Sequence, residues 1–174
     1  LSQFTGAARE HKQRELVALR KQEARAALDV LGIRDMVCLD AEDGLLAASS
    51  TAPTHLRALL HRIRPDIVYL PFFLEEHADH RATNNVLQAA LADSDLSFQC
   101  LGYEVWTPLA THDHTEDISH VMARKLKALR AHRSQLREFN YERAVCGLNS
   151  FRGELAAKCR YAEVFQTTTL EPTK

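Results

Sequence analysis

The chain has 174 residues, with 22 Lys and Arg against 23 Asp and Glu, so its formal net charge is −1. That balance excludes the strongly basic surface by which nucleic acid or an anionic membrane attracts a protein. Apolar residues make up 45%, as in globular domains, and no apolar run reaches the roughly 18–20 residues of a membrane-spanning helix.

The cysteines and the first residues indicate where the chain resides. No Cys-x-x-Cys pair occurs, and the first residues have neither the charged nor the apolar region of a signal peptide. Wide spacing argues against zinc fingers and disulfides, so it predicts buried thiols in a reducing cytoplasm. The cysteines are Cys38, Cys100, Cys146 and Cys159. Leu1 stands where an initiator Met would be, so the gene is expected to begin upstream.

The first sixty residues predict two helices. Residues 8–31 carry apolar side chains near helical spacing and end at Gly32, which favours a long amphipathic helix. A short apolar run at 36–39 predicts a strand before the next helix. Pro53 then opens that helix and Pro65 ends it.

The rest of the chain continues the alternation. The β-branched and aromatic run at 67–70 has the length of a buried parallel strand, and a helix resumes near Arg81. An extended stretch at 98–106 predicts another strand. Asp117 is the expected N-cap of a later helix, and 162–165 is the expected last strand.

The order of these elements defines the fold class. Helices and strands that alternate over short connections are typical of a three-layer α/β/α sandwich with a mostly parallel sheet. No linker divides the chain, so a single domain over residues 1–174 is predicted. A helix that feeds a parallel sheet should itself return from a strand. Either the sheet simply starts later in the chain, or an N-terminal strand and helix are missing from these residues, and we expect the latter.

One loop concentrates metal-binding and acid–base side chains. Residues 75–80 hold two imidazoles and three carboxylates directly after the predicted strand at 67–70, where α/β folds bind ligands. His77 and His80 are three residues apart, so both would face one side of a starting helix. His80 could bind a divalent metal, and Asp79 could orient a neighbouring imidazole. The alternative is a solvated polar loop with Asp79 as a cap, and the spacing leaves both open.

Two further groups of charged residues are ambiguous. The cluster at 112–117 also mixes His, Asp and Glu, but no strand end presents it, so a polar loop before the next helix is favoured. Arg20 and Glu23 lie at the edge of the apolar stripe of the first helix. They are either an ordinary surface pair or an arginine aimed into a pocket, where its fork could bind a polar substrate.

Motifs along most of the chain resemble a known family. They are Arg20-Lys21-Gln22-Glu23-Ala24, Leu31-Gly32, Asp43-Gly44, Arg64-Pro65-Asp66, His77-Ala78-Asp79-His80-Arg81-Ala82-Thr83, Tyr103-Glu104-Val105-Trp106-Thr107-Pro108, Asp117-Ile118, Lys127-Ala128-Leu129 and Ser134-Gln135. In order and spacing they resemble the PIG-L/LmbE-type zinc-dependent N-deacetylases. This resemblance implies a Rossmann-like α/β fold and removal of the N-acetyl group from an N-acetylglucosamine-type sugar or sugar conjugate.

The resemblance also implies roles for individual residues. His80 would bind zinc, His77 would stabilise the tetrahedral intermediate, Asp79 would pair with His77, and Arg20 would face the substrate pocket. Ala78 stands where the family usually has Pro. The family's His-Pro-Asp-Asp-Glu motif, which supplies the other two zinc ligands and the general base, does not occur in the 174 residues. One zinc ion per chain is expected, with its remaining ligands from an absent N-terminal segment.

The expected protein is therefore a cytoplasmic metal-dependent amide hydrolase that acts on a small amino-sugar conjugate. It needs neither nucleic acid nor a membrane span, and the resemblance allows a homo-oligomer. One alternative is a non-catalytic relative that keeps the fold and binds a sugar or a protein partner without a complete metal site. A second is a metallohydrolase that acts on esters or phosphates, although Arg81 is the one arginine near the loop.

Overall fold

A computed structural model describes residues 6–92, 94–137 and 139–170. The helices are α1 (Gly6–Leu31), α2 (Ala52–Ile63), α3 (Ala78–Leu91), α4 (Met122–Leu129) and α5 (Tyr141–Arg152). The strands are β1 (Ile67–Pro71), β2 (Phe98–Tyr103), β3 (His114–Asp117) and β4 (Ala162–Leu170). Short 3₁₀ turns lie at Leu46–Ala48 and Gln135–Arg137, and a π-helical turn, Gly153–Ala157, extends α5. Helices and strands are mixed along the chain, as the α/β class predicts.

The four strands lie in the order β1-β2-β4-β3. β1 and β2 are parallel because α3 crosses between them and returns the chain to the same end of the sheet. β4 enters from the opposite end and lies antiparallel to both β2 and β3. The prediction of a mostly parallel sheet is therefore wrong for the described residues, because the C-terminal strand occupies the centre of the sheet in the reverse direction.

The main core lies between the sheet and the pair of helices α2 and α3. One face of β1 and β2 presents Leu70, Phe98 and Cys100 to Leu60 of α2 and Leu87 of α3. Alternate residues of a strand point to opposite faces, so the apolar run at 67–70 supplies only part of this core. On the other face, Ile67 and Tyr69 of the edge strand β1 are about half exposed.

Local sequence signals explain the limits of α2. Pro53 lies in its first turn, where the missing N–H of proline costs no helical hydrogen bond. The helix ends at Arg64, which adopts a left-handed conformation with φ of 48°. Pro65 follows and cannot continue the helix. Both predicted boundaries of this helix are confirmed.

Other predicted elements differ from the structure. Residues 36–39 form no strand, and Val37 is 54% exposed, because no neighbouring strand pairs with this run among the described residues. Asp117 ends β3 instead of capping α4, and its carboxylate accepts the N–H of Ser119. Most of the polar cluster at 112–117 is thus a strand that pairs with β4. Helix α5 was not predicted, although its N-cap Asn140 accepts the N–H of Arg143, which is a recognisable start signal.

All four cysteines are free, but only Cys100 is fully buried and Cys38 is exposed, so the prediction of four buried thiols is wrong. Among the residues that the structure describes, no helix has both the length and the apolar character that a membrane crossing requires.

Candidate active site

The loop at residues 72–77 leaves the carboxyl end of β1 and enters α3, as predicted. The N–H of Phe72 still binds the carbonyl of Tyr103 at 2.9 Å, so the loop starts beside the end of the parallel neighbour β2. The N–H of Glu75 then closes a turn onto the carbonyl of Phe72. His77 is the extended N-cap residue of α3, with φ of −69° and ψ of 127°. The loop therefore lies where parallel strands of α/β sheets present ligands.

The carboxylate of Glu75 is the most buried charge of this loop, with no exposed side-chain surface. The N–H of Trp106 donates to both of its oxygens, at 3.1 and 2.9 Å, and the N–H of Glu76 donates at 2.9 Å. Burial acts to raise the pKa of Glu75, but these N–H donors outweigh it and hold the pKa below its ordinary value. The carboxylate is therefore ionised and rigidly held at neutral pH.

His80 lies against this buried carboxylate. Its Nδ1 is 3.8 Å from Oε2 of Glu75, is shielded from solvent and has no hydrogen-bond partner. The ring of His77 lies 4.6 Å from that of His80, centroid to centroid. Burial, followed by the nearby His77, lowers the pKa of His80, so its imidazole is neutral at pH 7 and retains a lone pair. The structure thus brings the two predicted histidines together.

Asp79 has partners other than the predicted one. Its Oδ2 accepts the N–H of Gly44 at 2.7 Å, and its Oδ1 accepts the N–H of Leu46 at 3.2 Å. Among the described residues, no hydrogen bond joins Asp79 to His77. The predicted pairing is therefore absent from this conformation, in which each carboxylate oxygen instead accepts a backbone N–H from the turn at residues 43–46.

Arg20 and Glu23 do not form the ordinary surface pair. Arg20 donates from Nη1 to Oδ2 of Asp43 at 3.0 Å, and its buried Nε has no partner. Glu23 is buried and accepts the N–H and Oγ–H of Ser134, at 2.8 and 2.6 Å. The two side chains therefore have different partners. Arg20 contacts the turn at residues 43–46, and Glu23 connects α1 to the segment after α4.

Arg81 and Glu75 are site residues for which the sequence predicted no structural role in the loop. The guanidinium of Arg81 donates to the carbonyls of Glu75 and Glu76 and so fixes the loop from within α3. No sequence pattern separates Glu75 from Glu76, because the burial of Glu75 depends on the distant segment after β2. That segment also carries an aromatic cluster, in which the Trp106 ring packs edge to face on Phe139 at 5.6 Å and on Tyr141 at 5.8 Å.

The residues present fit a metal ion only in part. The unpartnered, shielded Nδ1 and the neutral ring of His80 suit a metal ligand. Within the described ranges, however, no three His, Cys, Asp or Glu side chains lie close enough together to hold an ion. Catalytic zinc takes about three protein ligands and one open position. The described residues therefore do not make a zinc site by themselves.

A family model matches the part of the chain that contains this site. The model is PIG-L, GlcNAc-PI de-N-acetylase, and it matches residues 2–91, more than half of the chain. The chain belongs to this family. The match includes Arg20, Asp79 and both histidines of the loop. A comparison with curated proteins found no match.

Solved structures share the fold. A conserved protein from Thermus thermophilus is 24% identical with a TM-score of 0.75, over 90% of this chain and 75% of that one. The N,N'-diacetylchitobiose deacetylase from Pyrococcus horikoshii is 26% identical with a TM-score of 0.73, over 89% of this chain. The alignment spans 65% of that deacetylase, slightly less than two thirds of its length. The family match confirms the predicted family, and these likenesses confirm its α/β fold.

The fold alone does not fix the reaction. A 4-carboxy-2-hydroxymuconate hydratase from Pseudomonas putida KT2440 has a TM-score of 0.64 at 19% identity, over 90% of this chain and 74% of that one. A hydratase and a deacetylase thus share this architecture, and the chemistry depends on the side chains at the site.

Proposed function

We propose that this chain is an N-deacetylase that removes the acetyl group from an N-acetylglucosamine-type sugar or sugar conjugate. The observation that supports the proposal is the His77–His80 pair, held at the carboxyl end of β1 within the residues that the PIG-L model matches. The similarity to a diacetylchitobiose deacetylase favours an acetylated amino sugar as the substrate class.

Zinc is the proposed cofactor, one ion per chain, with His80 as one of its ligands. When bound, zinc would supply an acidified water as the nucleophile. Its other ligands and the general base would come from outside the described residues, because those residues contain no complete ligand group.

The chain's own residues have separate proposed roles. His77 is exposed at the N-cap of α3, where its imidazole can hold a proton towards the acetamide oxygen as negative charge develops there. Glu75 would orient the ring of His80 by electrostatic attraction, since its buried carboxylate lies 3.8 Å from Nδ1. Arg20 faces the substrate with the part of its guanidinium that Asp43 does not bind.

The test compares metal content with activity. Purified protein is assayed for zinc by mass spectrometry and for release of a primary amine from N,N'-diacetylchitobiose. His77→Ala should retain zinc and lose on the order of 10²–10³ in rate, the usual cost of removing one stabiliser of an oxyanion. His80→Ala should lose both zinc and activity. His114→Ala is the control, because His114 pairs with Glu116 on β3 outside the loop and should keep both properties.

Equal zinc content in the two loop variants would contradict the separate roles of His77 and His80. The competing function is a non-catalytic relative that binds a sugar, and the incomplete ligand group favours it. Sugar binding by the wild-type protein without zinc and without amine release would support that function and contradict the deacetylase.

A further inference from the structure

The carboxylate of Asp79, in the first turn of α3, binds the backbone of a turn that is distant in the sequence. Its two oxygens accept the N–H groups of Gly44 and Leu46, which precede it by 35 and 33 residues. Gly44 adopts φ of 81°, a left-handed conformation that favours glycine. An added Cβ at Gly44 would meet no atom within 4 Å, so the backbone conformation, not crowding, makes glycine suitable there.

The same turn also holds Arg20. Asp43 immediately precedes Gly44, and its Oδ2 accepts Nη1–H of Arg20 at 3.0 Å. The side chain of Asp43 is 76% exposed, and an exposed ion pair holds an arginine only weakly. Among the described residues, however, Asp43 is the one hydrogen-bond acceptor of the Arg20 side chain, so the direction of the guanidinium depends on where the backbone places Asp43. That placement is fixed by the two hydrogen bonds to Asp79.

We propose that Asp79 is a positioning residue, which orients Arg20 for substrate through the 43–46 turn. This inference rests on the proposed function, in which Arg20 faces the substrate. It assigns Asp79 to substrate recognition, whereas pairing with His77 would assign it to catalysis. The series Asp79, Gly44, Asp43 and Arg20 joins the start of α3 to the middle of α1.

The chemistry requires a carboxylate at this position. The two N–H groups bind different oxygens of the side chain, and a carboxylate supplies both acceptors. Asparagine has one acceptor oxygen and an NH₂ group, which would face an N–H donor. Asp79→Asn therefore loses at least one bond with almost no change in size, and Asp79→Glu keeps the two acceptors on a longer side chain.

The first test does not depend on activity. Amide hydrogen exchange in the purified protein should be roughly 10- to 100-fold faster at Gly44 and Leu46 in Asp79→Asn, as expected for the loss of a hydrogen bond to a charged acceptor. The Nε–H of Arg20 is shielded from solvent, so nuclear magnetic resonance can follow its exchange, which should also become faster. His77→Ala should leave all three exchange rates unchanged. Unchanged rates in Asp79→Asn would overturn the proposal.

Kinetics then separates recognition from catalysis. Asp79→Asn should raise KM for N,N'-diacetylchitobiose about tenfold or more with little change in kcat, and Asp79→Glu should recover part of the loss. A fall in kcat at constant KM would overturn the positioning role in favour of pairing with His77. An inactive wild-type protein would contradict the proposed function, and the Arg20 exchange rates would still decide whether Asp79 positions that side chain.

A pair of glycine variants provides a matched control. Gly44→Ala and Gly32→Ala both place a side chain at a left-handed position, with φ of 81° and 78°, and neither Cβ meets an atom within 4 Å. Their conformational costs should therefore be similar. Gly44→Ala should raise KM as Asp79→Asn does, and Gly32→Ala, at the end of α1, should not. A similar rise in both would show that general destabilisation, not the turn, controls KM.

Discussion

The pair formed by Arg152 and Glu104 is the most buried ion pair in the described structure, with side chains only 10% and 5% exposed. Nη2 of Arg152 donates to Oε1 of Glu104 and, at 2.7 Å, to the carbonyl of Leu109, and Nε donates to Oε2 at 3.3 Å. Glu104 also accepts the N–H of Leu109 at 2.6 Å. The pair thus fastens the segment after β2, whose Trp106 backbone N–H holds Glu75.

Replacing Arg152 by Met would leave the carboxylate of Glu104 buried with the N–H of Leu109 as its remaining donor. Breaking a buried pair in this way costs about 3–5 kcal/mol, a large part of the roughly 5–15 kcal/mol that stabilises a typical domain. With a urea slope of about 1–3 kcal/mol per molar, the unfolding midpoint should fall by roughly 2 M. Adding Glu104→Gln should recover part of the loss, because the double variant buries no unpaired charge.

Urea titration followed by circular dichroism measures these shifts. Arg130→Met is the matched control, because Arg130 binds Glu142 through the same two-pronged geometry, at 3.0 and 2.6 Å, with its side chain 57% exposed. Its midpoint should change far less, since water solvates both charges when the pair is broken. Equal shifts for Arg152→Met and Arg130→Met would refute the premise that burial determines the cost.

Two further predictions concern stability. Burial acts to raise the pKa of Glu23, but the hydrogen bonds from Ser134 outweigh it and lower the pKa from its ordinary value of 4.5. The ionised carboxylate of Glu23 therefore stabilises the folded state above about pH 4.5, and this contribution is lost as the pH falls through the lowered pKa. Acid titration should show a steeper loss of stability below about pH 4.5 in the wild type than in Glu23→Gln, and parallel curves would contradict this. A Cβ at Gly153 would lie 2.6–2.8 Å from the backbone of residues 159–161, whereas one at Gly147 meets nothing within 4 Å. Gly153→Ala should therefore lower the thermal midpoint sharply. Gly147→Ala, inside α5, should not lower it, because the helix preference of alanine adds up to about 1 kcal/mol to the free energy of unfolding.

Short-range sequence patterns were enough to predict the helices, the strand and the loop that position the candidate site. The prolines at the ends of α2, the β-branched run of β1 and the polar loop before α3 each follow from properties of a few neighbouring residues. The sequence therefore predicted that His77 and His80 would meet at a strand end. It predicted less well where the outcome depended on distant partners. The run at 36–39 is apolar enough for a strand but has no pairing partner among the described residues.

The same reason explains the site residues that were missed or assigned other partners. Glu75 and Glu76 are identical in type and adjacent, and only the folding of the segment after β2 over Glu75 makes it the buried one. Asp79 was predicted to pair with a near neighbour, and its actual partners lie more than thirty residues away. The direction of β4 was also unpredictable from its own residues, since β-branched side chains suit either strand direction.

Trp106 is the only tryptophan in the chain, and it is 44% exposed between two aromatic rings while its backbone N–H holds Glu75. The protein therefore contains its own fluorophore at the edge of the candidate active site. Its emission wavelength depends on how much water reaches the indole, so a ligand that covers the segment should shift emission to the blue. Opening of that segment should shift emission to the red, whereas unfolding of the whole domain is followed by loss of the helical signal in circular dichroism. One unlabelled sample can thus distinguish movement at the site from unfolding of the whole domain.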